Sequence, residues 1–79
     1  MKVRVRWFAV LRDARGLPVE EVEGAFTTPA ALWDELARRH VLPLPLAGVR
    51  VSVNAAYVEP TVTLRDGDEV AFIPPVSGG

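Results

Sequence analysis

The residues best suited to chemistry stand together at the carboxyl end of the sequence, which closes on Pro74, Pro75, Val76, Ser77, Gly78 and Gly79. Two consecutive prolines exclude a helix and remove two backbone donors, so we expect an extended tail over residues 74–79 that spans roughly 20 Å. Glycines have no side chains, so they can pass through a narrow channel and bring a bare carboxyl group to another protein. We therefore expect Gly78 and Gly79 to thread the tail into a partner and to present the carboxyl group of Gly79 there.

Conventional catalytic and metal-binding groups are sparse elsewhere in the sequence. It contains one histidine and no cysteine, which excludes a thiolate nucleophile, a disulfide framework and a thiolate metal site. His40 is expected at a helix end, where its charge favours the helix dipole. Asp66, Asp68 and Glu69 flank Gly67 in a pattern typical of a turn, without the remaining ligands of a calcium loop. The sequence therefore predicts no bound cofactor or metal.

Charge and hydropathy indicate a cytoplasmic protein that binds neither nucleic acid nor membrane. Nine lysines and arginines face ten aspartates and glutamates, which gives a net charge of -1. Lys2, Arg4 and Arg6 form a basic row, which this balance favours as the solvated face of a strand. The row alternates with apolar residues, so the first residues lack the continuous apolar stretch of a signal peptide or membrane span.

The first half of the sequence predicts two strands and then a helix. Residues 2–8 alternate strictly as a half-buried strand, and a helical turn or loop follows over 11–16. A second strand is predicted near 18–23, although two adjacent glutamates interrupt its alternation. Thr28 and Pro29 are a helix-start signal, because threonine caps an orphan N–H and proline at the first position sacrifices no hydrogen bond. The helix is expected to continue to about residue 40.

The second half predicts two more strands. Residues 50–54 form the third strand, a linker runs through Tyr57 and Pro60, and an Asp-Gly turn precedes the last strand at 70–73. This order is that of a β-grasp. We therefore predict one α+β domain over residues 1–73, with a mixed sheet of four to five strands and one main helix packed across it. The expected core comprises Trp7, Leu32, Leu36, Val53, Val70 and Phe72.

The end of the sequence resembles a known family signature. Within residues 64–79, Asp-Gly-Asp-Glu-Val precedes Pro-Pro-Val-Ser-Gly-Gly, a pattern that is similar to the C-terminus of molybdopterin synthase small subunits. The opening strand, Leu11-Arg12-Asp13 and Val53-Asn54 also match, so the resemblance covers nearly the whole chain.

This resemblance implies a ubiquitin-like sulfur carrier that is not an enzyme by itself. In such proteins an activating enzyme uses ATP to adenylate the terminal glycine, because a carboxylate is a poor electrophile until it carries a good leaving group. A sulfurtransferase relay then leaves a thiocarboxylate on the residue that matches Gly79. The partner is the large subunit, in a heterotetramer of two small and two large subunits. Two loaded carriers give sulfur to cyclic pyranopterin monophosphate, which becomes the molybdopterin dithiolene.

The resemblance also implies an apolar docking surface beside the tail, at positions that match Phe8, Tyr57 and Ile73. Alternation agrees for two of them, because Phe8 falls on the outward face of the first strand and Ile73 is out of phase with the inward Phe72. Arg12 is expected at the polar rim of this surface. The tail residues Pro74, Pro75, Val76 and Ser77 are expected to contact the same partner.

Other readings of the Gly-Gly end stay open at this stage. The carrier could serve thiamin thiazole synthesis, tRNA thiolation or cysteine synthesis, which employ similar Gly-Gly proteins. The protein could instead be a ubiquitin-like modifier that forms isopeptide bonds to lysines. A plain binding module would not need Gly78 or Gly79, so deletion of the two glycines distinguishes that reading from the carrier readings.

Overall fold

Strands and helices alternate in the first half of the chain, and three strands follow in the second half. A computed structural model describes residues 1–75, so the predictions for Val76, Ser77, Gly78 and Gly79 lie outside the described residues. The described part contains five strands and two helices: β1 (Lys2–Trp7), α1 (Ala9–Arg15), β2 (Val19–Glu23), α2 (Pro29–Arg39), β3 (Arg50–Val53), β4 (Ala56–Val58) and β5 (Glu69–Ile73). A turn of 3-10 helix, Leu46–Gly48, precedes β3.

The strands form one mixed sheet in the order β2-β1-β5-β3-β4. The central pair β1 and β5 is parallel, and the other three pairs are antiparallel. Helix α2 packs against one face, because its buried residues belong to the same core cluster as the inward residues of the strands. The predicted α+β β-grasp with a mixed sheet is confirmed.

Three aromatic rings occupy the centre of the core between the sheet and α2. The rings of Trp7 and Phe72 stack with centroids 5.6 Å apart, and Trp33 meets Phe72 edge-on at 4.9 Å. Such pairs add to the burial of the rings themselves. The core prediction is confirmed for five of its six residues. Val53 packs against this core but is only half-buried, because β3 ends there beside an exposed turn.

The start of α2 follows the predicted capping chemistry. The Thr28 hydroxyl accepts a hydrogen bond from the Ala31 N–H at 3.1 Å, and Pro29 is the first helical residue. At the other end the His40 backbone N–H donates to the Leu36 carbonyl. The predicted helix is therefore confirmed with its boundaries, and its buried face comprises Pro29, Leu32, Trp33 and Leu36.

Two elements differ from the sequence-based expectation. The segment predicted as a helical turn or loop over 11–16 is a full helix, α1, which begins at Ala9. The predicted linker through Tyr57 is wrong, since Tyr57 lies in strand β4. Asn54 and Ala55 both have positive φ, 51° and 72°, and this tight turn returns the chain along β3. Turns of this shape ordinarily carry glycine, so the sequence signal for the hairpin was missing.

Candidate functional site

The parallel pairing of β1 and β5 determines where the tail starts. Both strands run in the same direction, so their carboxyl ends meet at one edge of the sheet, with Trp7 opposite Phe72 in the register. Phe8, which follows β1, therefore lies at the level of Ile73, the last residue of β5, and Pro74 comes next. The first strand is one residue shorter than predicted, because Phe8 is the N-cap of α1. Its backbone is still extended, so it keeps the outward direction of the alternation.

An open groove with a volume of about 620 Å³ lies at this edge of the sheet. We call it the tail groove, and it is lined by Phe8, Ala9, Val10, Arg12, Ile73, Pro74 and Pro75. Six of these seven residues are apolar. Phe8 is 39% exposed and Val10 is 44% exposed, which is high for large apolar side chains. An exposed apolar cluster of this kind is typical of a surface that another protein covers.

The two prolines differ in their surroundings. Pro74 is buried against the domain, whereas Pro75 is exposed. The chain is therefore held to the fold through residue 74, one residue beyond the end of β5. Because the φ angle of proline is fixed, Pro74 and Pro75 form a stiff segment that is anchored to the domain at Pro74.

The outward face of the sheet continues the tail groove toward β4. Phe8 and Ile73 line a second, smaller depression of about 250 Å³ together with Ser52 and Ala71. Tyr57 pairs with Ser52 and is 61% exposed on this same face. Phe8, Ile73 and Tyr57, which the sequence predicts as partner-binding, thus share one face, here called the docking face.

Two arginines lie at the margins of this apolar surface. Arg12 is exposed on α1 and lines the tail groove, and no carboxylate of residues 1–75 lies within ion-pair distance of it. Arg50 pairs with Ile73 in the sheet, and its guanidinium carbon lies 4.3 Å from the centre of the Tyr57 ring. Stacking of this type holds the tyrosine ring and leaves the edge of the guanidinium free to donate hydrogen bonds.

Sequence reasoning missed one charged cluster next to the site. The Glu20 carboxylate accepts hydrogen bonds from Trp7 Nε1 at 2.6 Å, from Arg15 Nε at 2.8 Å and from Arg15 Nη2 at 2.9 Å. Burial by itself raises the pKa of Glu20, but the hydrogen bonds from Arg15 and Trp7 and the nearby charges of Arg15 and His40 lower it overall. In the sequence, this cluster is indicated by Glu20 and Glu21, the adjacent glutamates that interrupt the alternation of β2.

The described residues contain no group of three or more histidine, cysteine, aspartate or glutamate side chains that could hold a metal ion. Asp66, Asp68 and Glu69 act in the predicted turn instead. The Asp68 carboxylate accepts from the Arg65 N–H at 2.8 Å and from Asn54 Nδ2 at 2.9 Å. No helix among residues 1–75 is long and apolar enough to cross a membrane.

Solved structures with a similar fold include a small archaeal modifier protein and a subunit of a molybdopterin-converting factor. The small archaeal modifier protein 1 of Haloferax volcanii superposes with a TM-score of 0.81 at 24% identity, over 100% of both chains. A complex of subunits 1 and 2 of the molybdopterin-converting factor from Helicobacter pylori contains a chain with a TM-score of 0.72 at 24% identity, again over 100% of both chains. At this level of identity the two likenesses support the β-grasp fold alone.

Sequence comparison is more specific. The molybdopterin synthase sulfur carrier subunit of Escherichia coli is 39% identical over 80 residues, which cover 98% of this chain and 99% of the relative. The profile of the ThiS family matches residues 5–79. The match includes the strand that leads to Phe8, the tail groove and the Gly-Gly end. The resemblance drawn from the sequence is thereby confirmed, and the chain belongs to the ThiS family.

Proposed function

We propose that this protein is the sulfur carrier subunit of a molybdopterin synthase. The observation that carries the proposal is the burial of Pro74 beside the exposed apolar tail groove, in a chain whose sequence carries a Gly-Gly end. The named relatives support the same function, because a sulfur carrier subunit matches the chain over nearly its full length. In this role the protein donates sulfur but does not catalyse the reaction by itself.

The reactive group in this proposal is the carboxylate of Gly79. A free α-carboxyl group has a pKa near 3.5, so it is ionised at neutral pH and resists attack by a sulfur nucleophile. In adenylation by an ATP-dependent activating enzyme, a carboxylate oxygen attacks the α-phosphate of ATP and pyrophosphate leaves, so that this oxygen becomes part of an AMP leaving group. A sulfide-level sulfur nucleophile from the donor then attacks the acyl carbon, AMP leaves with that oxygen, and the thiocarboxylate remains. The chain needs no bound cofactor for these steps, because ATP and the sulfur donor belong to its partners.

The docking face and the tail groove supply the contacts with the large subunit. Phe8, Ile73 and Tyr57 offer the apolar centre of the interface, and Arg12 offers a polar contact at its rim. From Pro75 to Gly79 the chain spans roughly 17 Å when extended. This length lets the thiocarboxylate enter a pocket of the partner while the domain stays on the partner's surface. We place two such carriers on two large subunits, in the cytoplasm.

The sulfur transfer to cyclic pyranopterin monophosphate takes place in the large subunit. The carrier brings the nucleophilic sulfur, and the acid and base groups for the transfer belong to the partner. Deleting Gly78 and Gly79 leaves residues 1–75 and their core intact, so the truncated chain is expected to fold but not to become activated. A truncated chain that folds but is not activated is the result we expect for a carrier.

Native co-purification tests the proposal. A full-length Val41→Cys variant carries an affinity tag on this exposed cysteine and is recovered with its partners from the source organism. Mass spectrometry then identifies the bound proteins and measures the mass of the tail. We expect the molybdopterin synthase large subunit in comparable amount and a mass shift of one oxygen-to-sulfur exchange. A thiazole synthase, a tRNA-thiolating enzyme or lysine conjugates in its place would overturn the assignment. A Gly79→Ala variant, prepared in the same way, is expected to lack the mass shift.

A further inference from the structure

A glutamate on the core face of the edge strand is an unexpected charged group in this fold. Glu20 pairs with Val5 in the β1–β2 register, so its side chain points to the face that carries the buried Val5 and Val22. The neighbouring Glu21 pairs with Arg4 and points to the opposite face. A carboxylate at the margin of a core is unfavourable unless charged, hydrogen-bonding partners meet it. A glutamate at position 20 is therefore expected to have a specific structural role.

The partners of Glu20 lie at the two ends of one chain segment. Trp7 is the last residue of β1 and immediately precedes Phe8, and Arg15 is the last residue of α1. The segment between them, residues 8–14, contains every residue that α1 and its cap contribute to the tail groove. A single carboxylate thus ties down both ends of one wall of the groove. We call the three side chains Glu20, Trp7 and Arg15 the clamp.

The clamped segment is not stable by its own local preferences. A helix of seven residues is too short to persist alone in water. Ala9 has a φ of 50°, in the left-handed region that is unfavourable for a residue with a Cβ. Inside the segment, Leu11 is the one fully buried side chain. The shape of residues 8–14 must therefore be held from outside, and the clamp is placed to do so.

We propose that Glu20 and Arg15 are positioning residues for docking to the large subunit. Their ion pair, with the hydrogen bond from Trp7, keeps Phe8, Val10 and Arg12 in the arrangement that the partner recognises. The side chains of Glu20 and Arg15 are each only 15% exposed, so they act through the segment rather than by touching the partner. A preformed surface binds more tightly because less order is lost on association. This inference rests on the proposed function.

The test measures the affinity of the full-length chain for the large subunit by titration calorimetry, at a temperature where every variant is folded. Glu20→Gln keeps the shape of the side chain and removes its charge, and we expect binding about three- to tenfold weaker. Arg15→Gln is expected to weaken binding to a similar degree. Glu21→Gln is the matched control, on the same strand but the opposite face, and is expected to bind as the wild type does.

Two further results separate positioning from a general loss of stability. The double variant Arg15→Gln/Glu20→Gln is expected to bind no more weakly than either single variant, because the two residues act as one unit. Amide hydrogen exchange in Glu20→Gln is expected to be faster over residues 9–15 and unchanged over α2. Arg15→Lys keeps the charge but loses the planar fork, so an intermediate affinity is expected. If Glu20→Gln does not fold, the affinity of Arg15→Lys for the large subunit tests the inference in its place.

Wild-type affinity in both Glu20→Gln and Arg15→Gln would overturn the inference. Exchange over residues 9–15 that is the same in Glu20→Gln and the wild type would also overturn it. If the wild-type chain itself does not bind the large subunit, the proposed function fails instead. The exchange measurement then still decides whether the clamp holds α1, because it needs no partner.

Discussion

At the scale of single residues, the charged groups of this chain divide into those held inside the fold and those left for a partner. Arg15 donates two hydrogen bonds to the Glu20 carboxylate, and this hydrogen bonding is the main reason that the pKa of Arg15 is raised. Arg12, three residues earlier, is exposed in the tail groove. The same short helix therefore carries one arginine that holds it in place and one that is free to meet an acidic group on another protein.

The lowered pKa of Glu20 predicts how the stability of the protein depends on pH. A carboxyl group whose folded pKa lies below its unfolded pKa stabilises the fold above the unfolded value and loses that contribution as the pH falls through the folded value. Glu20→Gln is therefore expected to lower the free energy of unfolding by about 1 to 3 kcal/mol at neutral pH. The difference from the wild type shrinks as the pH falls below the ordinary glutamate value of 4.5.

Urea denaturation of both proteins at several pH values measures this difference. Glu21→Gln, at an exposed site on the other face of β2, serves as the control and is expected to show little change at any pH. A Glu20→Gln difference that is constant between neutral and acidic pH would show that the charge of Glu20 does not stabilise the fold.

Phe8 is the residue whose change is expected to separate docking from folding most cleanly. Phe8→Asp places a charge in the centre of the apolar docking face, so affinity for the large subunit is expected to fall by more than about tenfold. The side chain is 39% exposed, so little core packing is lost. Calorimetry and thermal unfolding measure the two effects. Val41→Asp, at an apolar residue that is 89% exposed outside the docking face, is the control and is expected to bind normally.

At the scale of elements, helices and strands whose signals lie in their own residues could be predicted from the sequence. Elements that depend on contacts with distant residues could not. Helix α2 carries its own capping threonine and an apolar face, so it could be predicted from the sequence with its boundaries. Helix α1 depends on the burial of Leu11 and on Glu20, which lies on another strand. Strand β4 depends on a turn of unusual composition. For the site, alternation placed Phe8 and Ile73 correctly, whereas no local pattern reveals which groups meet Glu20.

The β3–β4 turn offers a stabilising substitution. Ala55 has a φ of 72°, which costs a residue with a Cβ more than it costs glycine. Ala55→Gly is expected to raise the free energy of unfolding by about 0.5 kcal/mol, since Asn-Gly is the preferred pair for this two-residue turn. Ala56→Gly, the next residue but inside β4, is the control and is expected to destabilise by a similar amount. Denaturant titration measures both, and equal losses in the two variants would contradict the turn geometry.

At the scale of the whole molecule, the topology explains why one edge of the sheet carries the function. Parallel pairing of the first and last strands brings the end of β1 and the end of β5 to the same place. The two walls of the tail groove, residues 8–12 and residues 73–75, therefore share one edge although they lie more than sixty positions apart in the sequence. The opposite edge is closed by the hydrogen-bonded turn around Asp68. This arrangement suits a carrier, because the edge around Asp68 is fixed by hydrogen bonds while the edge with the tail groove is exposed to successive partners.

We propose that Gly79 carries the sulfur that becomes part of molybdopterin. The most direct test combines the purified chain, prepared as the Gly79 thiocarboxylate, with the large subunit and cyclic pyranopterin monophosphate, and measures product and remaining thiocarboxylate by mass spectrometry. We expect molybdopterin to form and two thiocarboxylates to be converted to carboxylates for each product molecule. Loaded carrier that remains unspent, with no dithiolene formed, would contradict it.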